Sequence, residues 1–184
     1  AQINYQRLVK QNKCKISEIS NPDQIPESKT NDLILDGIFG SGLNRPLEGF
    51  PAQIVQKLNQ MSGTKIAIDT PSGLFGENNA SNHFESIFRA DYTLTFQFPA
   101  LSFFFPEHQE FTGKWEALSI GLSQQKIDEI DSPFYLVTEE IISQQIKKRK
   151  RFDHKGNYGH ILLITGGYGK MGAAILTSNA ALKT

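Results

Sequence analysis

The order of short apolar runs and helical segments predicts an α/β fold built on an open parallel sheet. Runs rich in strand-forming residues recur at 32–36, 65–69, 90–96 and 116–120. The first two each end in a carboxylate, Asp36 and Asp69, and run straight into turn-forming sequence. Between them, Ile54, Val55 and Leu58 fall on one helical face. Strand, helix and strand in short units is the pattern of a parallel sheet. Such sheets take ligands in the crevice beyond the carboxyl ends of their strands, where this reading places both aspartates.

Taken in order, the first fifteen residues suit a helix leading into a weak strand at 15–19. Asn21-Pro22-Asp23 and Ile25-Pro26 then mark a loop. After the strand at 32–36, four glycines and a proline between Gly37 and Gly49 make a glycine-rich loop. Pro51 suits a first helical turn, and that helix runs to about Met61. The strand at 65–69 passes into Thr70-Pro71-Ser72-Gly73. Residues 76–82 read as a polar, mobile loop. Ala90-Asp91-Tyr92-Thr93-Leu94-Thr95-Phe96 is a third strand, residues 98–105 are strongly aromatic, and 116–120 is a fourth strand.

Composition shifts near residue 123. Thr138-Glu139-Glu140 starts a helix of about ten residues, and Lys147-Lys148-Arg149-Lys150-Arg151 is a dense basic run. A short loop at 153–159 introduces a fifth strand at 160–165, whose nearly continuous apolar character is that of a strand buried on both faces. Gly166-Gly167-Tyr168-Gly169-Lys170-Met171-Gly172 then turns into an alanine-rich helix. The expected organisation is a first domain at 1–123, a linker and helix at 124–153, and the opening βα unit of a second α/β domain at 154–184.

The 184 residues fit one domain and part of another. Lysine plus arginine equals aspartate plus glutamate at 19 each, so bulk charge draws the chain neither to nucleic acid nor to anionic membrane. No apolar run approaches the ~20 residues of a membrane span. Cys14 is the single cysteine, which allows no internal disulfide and fits a reducing, cytoplasmic compartment. The chain begins without an initiator methionine or signal peptide and stops inside a small-residue helical pattern, so it reads as an internal fragment of a longer soluble protein.

Two segments carry a specific resemblance. Asp36-Gly37-Ile38-Phe39-Gly40-Ser41-Gly42-Leu43-Asn44-Arg45-Pro46-Leu47-Glu48-Gly49 resembles the D-x-[ILV]-F-G-[ST]-G-x-x-R-x-[LV]-x-G signature of the NAD(P)H-hydrate epimerase family, the YjeF N-terminal domain. Ile68-Asp69-Thr70-Pro71-Ser72-Gly73-Leu74 is similar to that family's second signature, I-D-x-P-S-G. The A-D-x-T-x-T-F strand follows in the same order. The tail, His154-Lys155-Gly156 with Gly159-His160, Gly166-Gly167 and Met171-Gly172-Ala173-Ala174, resembles the entry to the ribokinase-like, ADP-dependent NAD(P)H-hydrate dehydratase domain. The resemblance implies a three-layer, Rossmann-like parallel sheet, present in part, followed by one βα unit of a ribokinase-like domain. Two features depart from the family. Its asparagine- and glycine-rich first turn would precede Ala1, and Pro99-Ala100 stands where proline-lysine is frequent.

The implied activity is repair of hydrated NADH or NADPH, a small-molecule substrate hydroxylated at C6 of the nicotinamide ring. Exchanging the two epimers takes a carboxylate that gives and takes a proton at that hydroxyl. Asp69 can fill this role or simply cap a turn; the resemblance implies the first. It likewise implies substrate contacts from Gly40, Ser41, Gly42, Leu43, Asn44, Arg45 and Pro46. The glycines would admit close backbone approach to a dinucleotide, and Arg45 would pair with phosphate. The alternative for these glycines is a tight turn without a ligand, and for Arg45 a surface charge. Asp36 and Ser72 are hard oxygen donors that can cap backbone turns or, as the resemblance implies, hold a potassium ion. In the second domain Ala173 is a further implied substrate contact, and ADP or ATP would serve the dehydratase part beyond Thr184.

Other residues attract blander readings. Ser72 lacks the Gly-x-Ser-x-Gly elbow and an evident histidine base of a hydrolase nucleophile. Phe103-Phe104-Phe105 suits a core or a subunit contact, so a homo-oligomer is compatible with it. The basic run suits a solvated linker better than a nucleic-acid patch. His83 and His108 have no metal-ligand spacing with Cys14. The rival class is a non-catalytic, nucleotide- or RNA-associated scaffold module on the same fold, which Ala100 and the basic run favour and which joint retention of Asp36, Arg45, Asp69 and Ser72 opposes.

Overall fold

A computed structural model describes residues 2–146, 148 and 150–183. The chain divides into two units, with the boundary between Ile130 and Asp131. In the first unit, helix α1 (Gln2–Gln11) precedes strand β1 (Leu33–Asp36), helix α2 (Gly49–Gln60), strand β2 (Thr64–Ile68) and strand β3 (Tyr92–Phe96). A helical turn α3 (Gln109–Thr112), strand β4 (Lys114–Leu118) and the short helix α4 (Gln124–Asp128) follow. The four strands form one sheet in the order β1-β2-β3-β4, parallel throughout. This is the α/β, Rossmann-like parallel sheet that the alternating pattern predicts, with strand boundaries shifted by one or two residues.

Register decides which side chains are buried. Asp36 lies beside Ala67, and Ala67 beside Thr93, so Ile34, Asp36, Ala67, Thr93, Thr95 and Trp115 share one face. The connections cover that face. Val55 of α2 is fully buried with Ala67, Phe88 and Ala90, and Ile34, Phe39, Leu43 and Leu58 pack around them. A second cluster joins Leu74, Ile87, Phe103 and Phe111 beneath Trp115. The two threonines cost little to bury, because Thr93 Oγ1 donates to the Thr112 carbonyl at 2.8 Å and Thr95 Oγ1 to the Phe98 carbonyl at 3.3 Å.

The opposite face is apolar and open. Leu33 and Leu35 are 67% and 65% exposed, and Tyr92 and Phe96 of β3 are exposed on the same face. Parallel sheets are ordinarily covered on both faces. The described residues thus build the sheet and one of the two flanking layers, since α1 buries none of its residues.

Several expectations give way. Residues 15–19 form no strand; 15–18 lie exposed and Ile19 is half-buried. Residues 76–82 are a pinned turn rather than a loose loop. Asn79, 3% exposed, accepts from the Phe75 N–H at 2.9 Å and donates to the Phe75 and Glu77 carbonyls. Asn82 Nδ2 donates to the Gly73 carbonyl and to Asn79 Oδ1. The aromatic run divides, with Phe103 in the core and Phe104 and Phe105 exposed.

The second unit holds α5 (Glu139–Gln145), capped by the Thr138 hydroxyl on the Ile141 N–H, and α6 (Gly172–Lys183). Helix α5 spans seven residues where about ten are expected. The strand expected at 160–165 does not form, and Ile161, Leu162 and Ile164 are exposed. A strand needs a neighbour for its N–H and C=O groups, and none of the described residues forms a ladder with this segment. None of the described residues of this unit is buried. Within the basic run, Lys147 and Arg149 lie outside the described residues.

Candidate functional site

The carboxyl ends of β1 and β2 are tied together by Asp36 and Ser72. Asp36 is 1% and Ser72 0% exposed. The Ser72 hydroxyl donates to Asp36 Oδ1 at 2.6 Å, and the Ser72 N–H donates to Asp36 Oδ2 at 2.7 Å. Asp36 Oδ1 also accepts from the Ile38 N–H at 3.2 Å, and Ser72 Oγ accepts from the Phe39 N–H at 2.9 Å. Both residues therefore do cap backbone turns. Burial nevertheless pushes the Asp36 carboxyl above its ordinary pKa, with the bonds from Ser72 and Ile38 offsetting part of that. The Phe39 carbonyl lies 3.4 Å from Ser72 Oγ, so a carboxylate, a hydroxyl and a carbonyl converge. That is a hard-oxygen donor set suited to an alkali cation.

Asp69 sits one residue beyond β2 with φ at 72°, a left-handed conformation unfavourable to a residue with a β-carbon. Its N–H donates to the Leu94 carbonyl at 2.8 Å, and the Thr70 N–H closes a three-residue turn onto the Ile68 carbonyl at 3.0 Å. This γ-turn with positive central φ is a rare, strained form. It aims the half-buried carboxylate at the loop after β1, where Asp69 Oδ2 accepts from the Ser41 N–H at 2.8 Å. Asp69 Oδ1 has no hydrogen-bond partner among the described residues and is not sealed from solvent.

The glycines of the first signature stand in different surroundings. A β-carbon at Gly40 would collide with Asp69 Oδ2, so Gly40 makes room for the carboxylate. Gly42 faces open space. Gly73 is at φ 98°, and a β-carbon there would lie 2.5 Å from the Ser86 carbonyl oxygen, which explains the glycine after Pro71-Ser72. Leu43, Arg45 and Pro46 line a cleft of about 380 Å3 with Phe39, Leu47, Glu48 and Pro51. Ser41, Asn44 and Arg45 are exposed. Thus Gly40, Ser41 and Asp69 meet, Asp36 meets Ser72, and Leu43, Arg45 and Pro46 wall the neighbouring cleft. Ala173 is exposed in the first turn of α6 in the other unit, its carbonyl accepting from Thr177 Oγ1.

The family described as YjeF-related protein N-terminus matches residues 1–102. The chain belongs to that family. Among its relatives, the bifunctional NAD(P)H-hydrate repair enzyme Nnr of Moorella thermoacetica is 33% identical over 83% of this chain and 28% of its own length. The enzyme of the same name from Thermofilum pendens is 30% identical over 98% of this chain and 34% of its own. An NAD(P)H-hydrate epimerase of Rhodopirellula baltica is 34% identical over 59% of this chain and 43% of its own. The YjeF-related chain thus spans about a third of the bifunctional relatives' length. No helix among the described residues is long and apolar enough to cross a membrane.

Residues outside the motifs also shape this YjeF-related site. Asn79 and Asn82 hold the segment after Gly73, and Glu77-Asn78-Asn79-Ala80-Ser81-Asn82 carries the signal for that in its short amide side chains, which bond local backbone readily. Nothing in the sequence points to the backbone geometry of Asp69.

Proposed function

We propose that the protein epimerises hydrated NADH or NADPH at C6 of the nicotinamide ring, with Asp69 as the proton-transferring group. The observation that carries this reading is the strained Asp69 carboxylate, with one oxygen held by the Ser41 N–H and the other unengaged. In its protonated form Asp69 gives a proton to the C6 hydroxyl. The C6–O bond breaks, water leaves, and the ring nitrogen's lone pair forms a C=N bond to C6. Water then adds to the other face while Asp69 takes a proton back, so the carboxyl ends as it began. The Ser41 N–H fixes the direction of the carboxyl group throughout.

Arg45 would pair with a substrate phosphate at the mouth of its cleft. Asp36, Ser72 and the Phe39 carbonyl would hold a potassium ion, which supplies positive charge opposite the phosphates. In the longer protein, an ADP- or ATP-dependent dehydratase part beginning near residue 154 would consume the S epimer, with Ala173 among its substrate contacts. The joint presence of Asp36, Ser72 and a poised Asp69 supports catalysis over the scaffold reading, as do the names of the relatives. The test is to mix the protein with one purified epimer and follow the approach to the epimer mixture by chromatography. Exchange no faster than in buffer would overturn the reading.

A further inference from the structure

The carboxyl end of β3 repeats the geometry found at the carboxyl end of β2. Gln97, one residue past β3, is at φ 62°. Its N–H donates to the Leu118 carbonyl of β4 at 2.7 Å, and the Phe98 N–H returns to the Phe96 carbonyl at 2.7 Å. Asp69 makes the same pair of bonds, one strand earlier. Glycine would adopt this conformation without strain, yet a long amide occupies it.

The side chain of Gln97 is oriented by its surroundings. Its Oε1 accepts from the Ile120 N–H at 3.1 Å and lies 3.5 Å from the Ser119 hydroxyl. A backbone N–H can only donate, so the oxygen must face it and Nε2 takes the other position. Nε2 has no partner among the described residues, and the half-buried amide is not sealed from solvent. Asp69 lies level with Thr95, because Ile68 pairs with Leu94. Gln97 is two residues further along the adjacent strand, which separates the two α-carbons by about 8 Å. Both therefore stand at the carboxyl ends of adjacent strands, where open parallel sheets take ligands, at a separation within the span of one nucleoside.

We propose that Gln97 is a substrate contact whose Nε2 donates to an acceptor oxygen on the nicotinamide riboside half of the hydrate. The inference rests on the epimerase reading. Two variants of the full protein test it. Gln97→Glu keeps the acceptor for Ile120 and Ser119 but removes the donor, and Gln97→Gly removes the whole amide while relieving the backbone. Both should raise KM about 3–10-fold, the effect of one neutral hydrogen bond, with kcat near parental and no fall in Tm for Gln97→Gly. A thioamide analogue of the hydrate locates the oxygen: parental KM rises to the variants' level if the acceptor is the carboxamide, and stays low if it is a ribose hydroxyl. Unchanged KM in Gln97→Gly overturns the contact, as does a KM rise confined to the charged Glu variant or matched by a loss of Tm. A parental protein without exchange overturns the epimerase reading itself.

Discussion

The Asp69 carboxylate occupies the space that a β-carbon on Gly40 would need. The two signature loops are therefore one mechanical unit, in which the glycine of the first is shaped by the aspartate of the second. Gly40→Ala must push the carboxylate off the Ser41 N–H. Because small misplacements of a reacting group are costly, exchange should fall about 10²-fold with the far-ultraviolet circular dichroism spectrum unchanged. Parental exchange in that variant would show that the observed carboxylate position is not the working one.

Asp36 leads to a prediction on pH and ions. Its folded pKa is raised above the ordinary 3.8, chiefly by burial. As pH rises past that ordinary value, the unfolded chain releases its proton first, so stability falls up to the folded pKa and stays at the lower level above it. A cation held by Asp36 and Ser72 would offset the loss. At neutral pH, Tm should therefore rise more with potassium chloride than with tetramethylammonium chloride at equal ionic strength, and Asp36→Ala should erase the difference. Equal responses in the parental protein would remove the cation from the site.

The strands and the paired signatures were legible because both rest on local chemistry. A buried parallel strand must be an apolar run, and Asp36, Asp69 and Ser72 stand at fixed offsets from such runs. The apolar run at 160–165 reads the same way but forms no ladder, because pairing depends on a neighbour and not on the run itself. Gly40 reads from the sequence as room for a ligand, and a glycine does not reveal that the Asp69 carboxylate also needs its missing β-carbon. The turns at Asp69 and Gln97 were illegible because positive φ is uncommon for residues with a β-carbon, even for aspartate, which adopts it more readily than most.

Gly73 provides a stability test separate from catalysis. Alanine there would meet both a φ of 98° and the Ser86 carbonyl at 2.5 Å. Gly73→Ala should cost about 2 kcal/mol or more in urea denaturation, from left-handed strain plus overpacking. A loss under ~0.5 kcal/mol would mean that the turn relaxes.

The second unit should behave as an unsupported segment. With none of its described residues buried, its amides should exchange with solvent well before those of β2 and β3. Trypsin should cut first within the basic run at 147–151, leaving the sheet-bearing unit intact. This unit should not dehydrate the hydrate with either ADP or ATP. Protection of residues 160–165 equal to that of β2 would contradict this.

The central claim is that Asp69 moves the proton, and one substitution tests it most directly. Asp69→Asn keeps the size of the side chain and its acceptor for the Ser41 N–H, but cannot give and take a proton as a carboxylate does. The measurement is the rate of epimer exchange on purified hydrate, with Tm as the control for folding. The account predicts a loss of ~10²–10⁴-fold at near-parental Tm. Exchange within a few-fold of the parental rate would remove Asp69 from the chemistry.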